Sequence, residues 1–149
     1  MKINYDQSDL IFRAMFSLIF IGLGGEHIVS DQMIQHLMPT WMPYPRLISV
    51  VCGVWLLFWG CLILVGWRIR QAAYGLGVFL IIVTSIVHLP AICFNPAELP
   101  EQYIWMWQIL QRSNLVKNLC LLGVCVHLLH HPLGKYSLES YLKSSNNRL

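Results

Sequence analysis

From Leu47 to Trp67 the chain reads LISVVCGVWLLFWGCLILVGW, without one charged side chain. A helix in hydrocarbon needs roughly 20 mostly apolar residues to cross about 30 Å while satisfying its own backbone hydrogen bonds, and this stretch meets that requirement. The rest of the chain is of the same kind: 11% of its 149 residues are charged, against roughly 25% in soluble proteins, and 56% are hydrophobic. That composition excludes a soluble globular domain. It also excludes a nucleic-acid partner, because ten Lys/Arg against seven Asp/Glu form no basic stripe able to neutralise phosphates.

Three further stretches resemble the first. They run from about Leu10 to Ile28, from Ala72 to Leu89 before Pro90, and from Leu115 to His131 before Pro132, each proline being unable to continue the backbone ladder. The expectation is an all-α polytopic membrane protein: four transmembrane helices at about 10–28, 47–67, 72–89 and 115–131, packed as an antiparallel bundle. One domain then covers residues 1–132, and 133–149 form a loosely held cytoplasmic tail. Only Arg68-Ile69-Arg70-Gln71 separates the second and third helices, which predicts a tight hairpin.

The basic residues orient this bundle. Lys2, Arg13, Arg68, Arg70, Lys135, Lys143 and Arg148 fall on one side and Arg46, Arg112 and Lys117 on the other, seven against three. The positive-inside rule then puts both termini in the cytoplasm, in a bacterial inner membrane, with the loops 29–46 and 90–113 outside. The first helix reads as a retained anchor: Asp6 and Asp9 dilute a positive n-region, Arg13 interrupts the apolar run, and no small-x-small cleavage site follows Gly25.

Both outer loops are aromatic, His36 to Pro45 (HLMPTWMPYP) and Tyr103 to Trp107 (YIWMW). Such residues form interfacial skirts; the alternative is that they cap a pocket entered from the outer leaflet. The five cysteines include no C-x-x-C pair. Buried cysteine is ordinarily a small hydrophobe, although Cys52 and Cys120 share a depth near the outer helix ends and could touch.

Steps of three and four residues give stripes of small and polar side chains: Arg13, Ser17, Phe20, Gly24 and His27 in the first helix; Ser49, Gly53, Leu56 and Gly60 in the second; Tyr74, Gly77, Ile81, Thr84 and His88 in the third; Asn114, Asn118, Leu121 and Cys125 in the fourth. Small residues let helices in lipid approach closely, so these stripes are expected to face one another. The antiparallel order brings His27, Ser49, His88, Lys117 and Asn118 to the outer end. With Glu26 they form a polar constellation, read either as a site facing the bundle or as helix-end groups reaching headgroups, with Lys117 snorkelling outward.

As a site it suits a quinone, since His and Lys donate hydrogen bonds to carbonyl oxygens and His or Glu exchanges protons. No flavin or nucleotide fingerprint, haem-attachment motif or cluster ligand set accompanies it, so the chain is not expected to be an enzyme alone. His127 and His131 have the i, i+4 spacing of a metal-chelating pair. Without a carboxylate partner nearby, they read instead as groups suited to the negative end of the helix dipole. Arg13 reads as a topology determinant at the inner interface.

Several of these pieces together resemble the DoxX-like family of four-helix membrane proteins. They are Arg13, the run Gly22-Leu23-Gly24-Gly25-Glu26-His27, the loop Met38-Pro39-Thr40-Trp41-Met42-Pro43, Cys52-Gly53 through Gly60 to Leu64-Val65-Gly66, the basic turn at Arg68 and Arg70, His88-Leu89-Pro90, and Asn114-Leu115-Val116-Lys117-Asn118-Leu119 running on to Leu121-Leu122-Gly123. The resemblance spans about residues 10 to 130. Where family members often carry Glu, this chain has Leu56. The resemblance implies association with membrane redox systems, some relatives being subunits of thiosulfate:quinone oxidoreductase. The expected function is therefore a non-autonomous membrane subunit of a redox or quinone-linked system. Its candidate ligand residues are Glu26, His27, His88, Lys117 and Asn118, its cofactor a quinone, and its partner a redox enzyme subunit or a second copy of the chain. The alternative is a membrane assembly or interaction protein without its own ligand. A transporter would call for a broken helix or inverted repeat at the midplane, and neither is visible.

Overall fold

The computed structural model describes residues 4–30, 32, 34, 35, 38, 39, 41–96 and 99–146. His36, Leu37 and Thr40 of the first aromatic loop lie outside the described residues, as do Lys2 and Arg148 of the basic tally. The described residues are helical, with no strand among them. Helix α1 spans Tyr5–Val29, α2 Pro45–Val65, α3 Ile69–Cys93, α4 Ile104–Leu128 and α5 Leu138–Asn146. Among the described residues three helices, α1, α2 and α3, are long and apolar enough to cross a membrane. α4 is as long as α1 but is not one of the three, because it carries Gln111, Arg112, Asn114, Lys117 and Asn118 within eight residues.

Local chemistry accounts for the helix ends. α1 opens on a capping box, in which Asn4 Oδ1 accepts from the Gln7 amide at 2.9 Å and Gln7 Oε1 accepts from the Asn4 amide at 3.2 Å. α2 begins with Pro45, whose missing N–H costs nothing at that position. It stops at Gly66, which adopts φ +70° while the Trp67 amide bonds back to Leu62 O at 3.0 Å. The expected hairpin between α2 and α3 is present, turning through residues 66–68.

Two expected boundaries need correction. The third helix does not stop at Pro90. Residues Thr84–His88 form a π turn, where the Leu89 amide reaches back five residues to Thr84 O, and Pro90 then falls in the first turn of the resumed α-helix, where no N–H is needed. The fourth helix starts at Ile104 rather than 115, after a 3-10 turn at Glu101–Tyr103, and ends at Leu128. Trp105 and Trp107 thus belong to its first turn and not to a loop, and the connection before it is shorter than expected.

α1 packs along α2, α2 on α3, and α3 on α4. The first contact is the closest. A Cβ on Gly24 would lie 2.9 Å from Gly53 O, and one on Gly53 would lie 2.9 Å from Gly24 O. Ser17, Phe20, Ser49, Leu56 and Gly60 are buried beside this crossing, as their spacing predicts. The core continues through Phe16, Ile63, Ala72, Ala73, Leu76, Leu80, Cys125 and Leu128. Trp59 presses on Gly75, and Trp55 Nε1 donates to Gly75 O at 3.0 Å. The third stripe departs from expectation, for Tyr74 and Ile81 are exposed while Ala72, Ala73, Leu76 and Leu80 face the core. Much apolar surface on the outer faces of all four helices is exposed, including Met15, Leu18, Val54, Phe58, Ile82 and Val116, as helices clothed by lipid require.

Candidate functional site

The polar residues expected at the outer end separate onto two helix seams. On the α1–α2 seam, Ser49 Oγ donates to His27 O at 3.1 Å and lies 3.1 Å from His27 Nδ1. Since the only hydroxyl proton of Ser49 goes to the carbonyl, Nδ1–H is the donor to Oγ. The Gly24–Gly53 crossing sets this geometry, with His27 Cβ 2.9 Å from where a Cβ on Gly53 would stand. Glu26, the next residue, is exposed and does not join this seam.

On the α3–α4 seam, His88 Nδ1 lies 2.8 Å from Gln111 Oε1, so Nδ1–H is again the donor. Asn118 Nδ2 donates to Thr84 Oγ1 at 3.1 Å, and Lys117 Nζ donates to Asn114 Oδ1 at 3.0 Å. Gln111 and Asn118 are buried, while His88 and Lys117 are half-buried and reachable from the side of the bundle. Both α3 partners, Thr84 and His88, bound the π turn, and such turns recur at functional sites because they re-aim side chains. The structure therefore brings together His88, Lys117 and Asn118, adds Thr84, Asn114 and Gln111, and places His27 with Ser49 on the other seam. Gln111 is the one member that the sequence reading did not single out; its position seven residues before Asn118 on the same helix face was the available signal.

A second buried polar cluster sits at the opposite end of α1. Arg13 and Asp9, one turn apart, are both buried, with Arg13 Nε 3.0 Å from Asp9 Oδ2. Arg13 Nη1 donates to Leu64 O at 2.7 Å, covering a carbonyl left open by the end of α2, and Nη2 donates to Tyr136 O at 2.9 Å. Asp9 also accepts from the Gly134 amide at 3.1 Å and from His131 Nε2 at 2.8 Å. Around it, Tyr5 Oη donates to Pro132 O, and Asp6 accepts from the Lys135 amide at 2.9 Å. A hydrogen bond from its ammonium to the Asp6 carboxylate holds Lys135 above its ordinary pKa. Arg13, expected at the inner interface as a topology determinant, is here a buried tie between α1, the end of α2 and Tyr136, and residues 132–137 are held against α1 rather than loose. The i, i+4 spacing of Asp9 and Arg13 was the sequence signal for it.

The alternative metal pair, His127 and His131, has ring centroids 5.5 Å apart, with His131 Nε2 turned to Asp9. Among the described residues no group of three or more His, Cys, Asp or Glu is placed to hold a metal ion. All five cysteines are free thiols, with Cys52 half-buried and Cys120 exposed. Two clefts open at opposite ends of α2: one of about 540 Å³ beside Tyr44, Pro45, Arg46 and Leu47, and one of about 640 Å³ between the α2–α3 turn and α5. Neither is lined by His27, His88, Lys117 or Asn118.

The DoxX family model matches residues 8–89, more than half of the chain. The chain belongs to the DoxX family. The match takes in α1, α2 and α3 as far as His88 and Leu89, so the buried Asp9–Arg13 pair, the Gly24–Gly53 crossing and the α3 half of the polar seam all lie in its DoxX part, while Gln111, Lys117 and Asn118 lie beyond it. No curated protein and no solved structure matches the chain. With its three long apolar helices, this DoxX protein is an integral membrane protein.

Proposed function

We propose that this DoxX protein is a non-autonomous membrane subunit of a redox or quinone-linked system, seated in a bacterial inner membrane. In this reading α4 is a fourth span, the helices run alternately through the bilayer, and both termini are cytoplasmic. The gathering of Arg13, Arg68, Arg70, Lys135 and Lys143 at one end of the helices supports that orientation.

The observation that carries the functional reading is the α3–α4 seam, where His88 and Lys117 stand half-buried beside a π turn. Ionisable groups kept in such surroundings mark functional sites by default. Lys117 spends one ammonium proton on Asn114 and has two left for a quinone carbonyl oxygen. His88, with Nδ1–H given to Gln111, offers Nε2 as the acceptor for a quinol hydroxyl. The electrons pass to or from a partner subunit. His27 and Glu26 fall outside this narrower site.

Extraction of lipophiles from the protein purified in mild detergent is expected to yield a bound quinone. His88→Ala and Lys117→Ala should each lower its retention roughly fivefold, the value of one hydrogen bond, at unchanged membrane level. Unchanged retention in both variants ends the reading.

One observation favours the alternative of an assembly protein without a ligand: His88, Lys117 and Asn118 already have partners within the seam, as groups that only set helix register would. A stoichiometric protein partner purified with no quinone would decide for it.

A further inference from the structure

The cleft of about 640 Å³ between the α2–α3 turn and α5 is built from parts of the chain far apart in sequence. One wall is Trp67, Arg68 and Arg70; the other is Glu139 and Lys143; His131 closes the back. The walls are fastened to each other, because the Glu139 amide donates to Gly66 O at 3.2 Å and Arg13 bonds both Leu64 O and Tyr136 O. The cleft is therefore preformed rather than a gap between loose ends.

Its charge is unbalanced. Glu139 is paired with Lys143 at 2.9 Å, and His131 is turned to Asp9. Among the described residues neither Arg68 nor Arg70 pairs with a carboxylate. The Arg68 guanidinium rests on the Trp67 ring, 5.1 Å from its centroid, a contact that uses its face and leaves its N–H edge for an anion. Two guanidiniums that line one cleft without a carboxylate partner of their own suit a phosphate oxyanion, whose oxygens match the planar fork of arginine.

We propose that this cleft binds the phosphate of an anionic phospholipid. The position favours a lipid over a soluble phosphate. The cleft opens where two membrane-length helices end, at a Trp of the kind that sits at headgroup level. Beyond it, α2 and α3 expose the apolar side chains of Leu64, Val65 and, two turns further along α3, Val78, giving acyl chains a surface to lie on. Basic pockets between helices at the membrane surface recognise acidic headgroups in this way.

The test is native mass spectrometry of the full-length protein in neutral detergent, titrated with phosphatidylglycerol or with phosphatidylcholine of the same chains. Phosphatidylglycerol is expected to be retained in preference. Arg70→Gln should lower that preference roughly fivefold. Arg70→Gln with Lys143→Gln should lower it further, because Glu139 is then left as an unpaired anion in the cleft. Arg112→Gln, an exposed arginine on α4, should leave it unchanged. Lys143→Gln alone, on the exposed face of α5, serves if the double variant does not fold. Equal retention of the two lipids overturns the proposal, as does a preference that survives both cleft variants. A thermal shift with inorganic phosphate as large as that with phosphatidylglycerol, lost in Arg70→Gln, overturns the lipid as source.

Discussion

Arg13 Nε stands 3.0 Å from Asp9 Oδ2 with both side chains fully withdrawn from solvent. The pair joins four parts of the chain. Asp9 and Arg13 come from α1, the carbonyls of Ile63 and Leu64 from the end of α2, His131 and Gly134 from the segment after α4, and Tyr136 from the approach to α5.

Removing one partner of a buried pair strands the other charge, at a cost of about 3–5 kcal/mol. Arg13→Leu and Asp9→Leu are each expected to lose that much stability in detergent, read as a fall in thermal midpoint or in the denaturant needed for unfolding. The double variant should lose less than the sum of the singles, by roughly 0.5–3 kcal/mol. Strict additivity would show that the two side chains do not act as a pair.

Neighbouring glycines make a second, internally controlled prediction. Gly24→Ala puts a methyl group 2.9 Å from Gly53 O, and helix backbone cannot give way as a side-chain end can. A loss of about 1–3 kcal/mol is expected. Gly25→Ala meets nothing within 4 Å and should be neutral or stabilising by up to about 1 kcal/mol, through helix propensity. Equal effects of the two substitutions in a thermal unfolding series would refute the close crossing.

Gly66 holds both a left-handed backbone and a narrow gap. A Cβ there would stand 2.5 Å from Ser137 Cβ and 2.8 Å from Arg13 Nη1. Gly66→Ala is therefore expected to release the segment 132–141 from the end of α2, seen as faster amide exchange of Gly134, Lys135 and Glu139. Exchange in the Gly24–Gly53 region should stay as it is. Protection of Gly134 unchanged from the parent protein would count against the tie.

On the α3–α4 seam, Thr84→Val and Asn118→Leu each break one hydrogen bond between helices. Such bonds couple helices in membranes by about 0.6 kcal/mol on average. A double-substitution cycle on unfolding should return a coupling of that order, and zero coupling would mean that the contact does not form in the bilayer.

The first two helices were legible in the sequence because their buried faces are made of small and polar residues in apolar surroundings. Ser17, Gly24, Ser49, Gly53 and Gly60 stand out from their neighbours at helical spacing, and they do meet. α3 was not legible in the same way. In a helix with lipid on one side and core on the other, Ala72, Leu76 and Leu80 look no different from Ile81 and Ile82, so periodicity carries little signal. The π turn at Thr84–His88 then adds a residue to the turn and rotates the face, so a stripe extended from His88 back to Tyr74 crosses from the core to the outside. In the candidate site, His88, Lys117 and Asn118 were readable as residues. Their separation from His27 was not, since it depends on α1 packing on α2 while His88 faces α4. The Asp9–Arg13 pair had a readable spacing, but apart from the His131 ring its remaining partners are main-chain groups from residues 63, 64, 134 and 136, which no side-chain pattern announces.

The Asp9–Arg13 tie also imposes an order in time. Asp9 leaves the ribosome 125 residues ahead of Gly134, and Arg13 123 residues ahead of Tyr136, the groups that complete their hydrogen bonds. Until residues 134 and 136 arrive, α1 carries an incompletely satisfied carboxylate and guanidinium, groups that sit poorly in lipid. A chain cut short before residue 134 lacks those partners, so the cost of its last residues falls on the helix farthest from them in sequence.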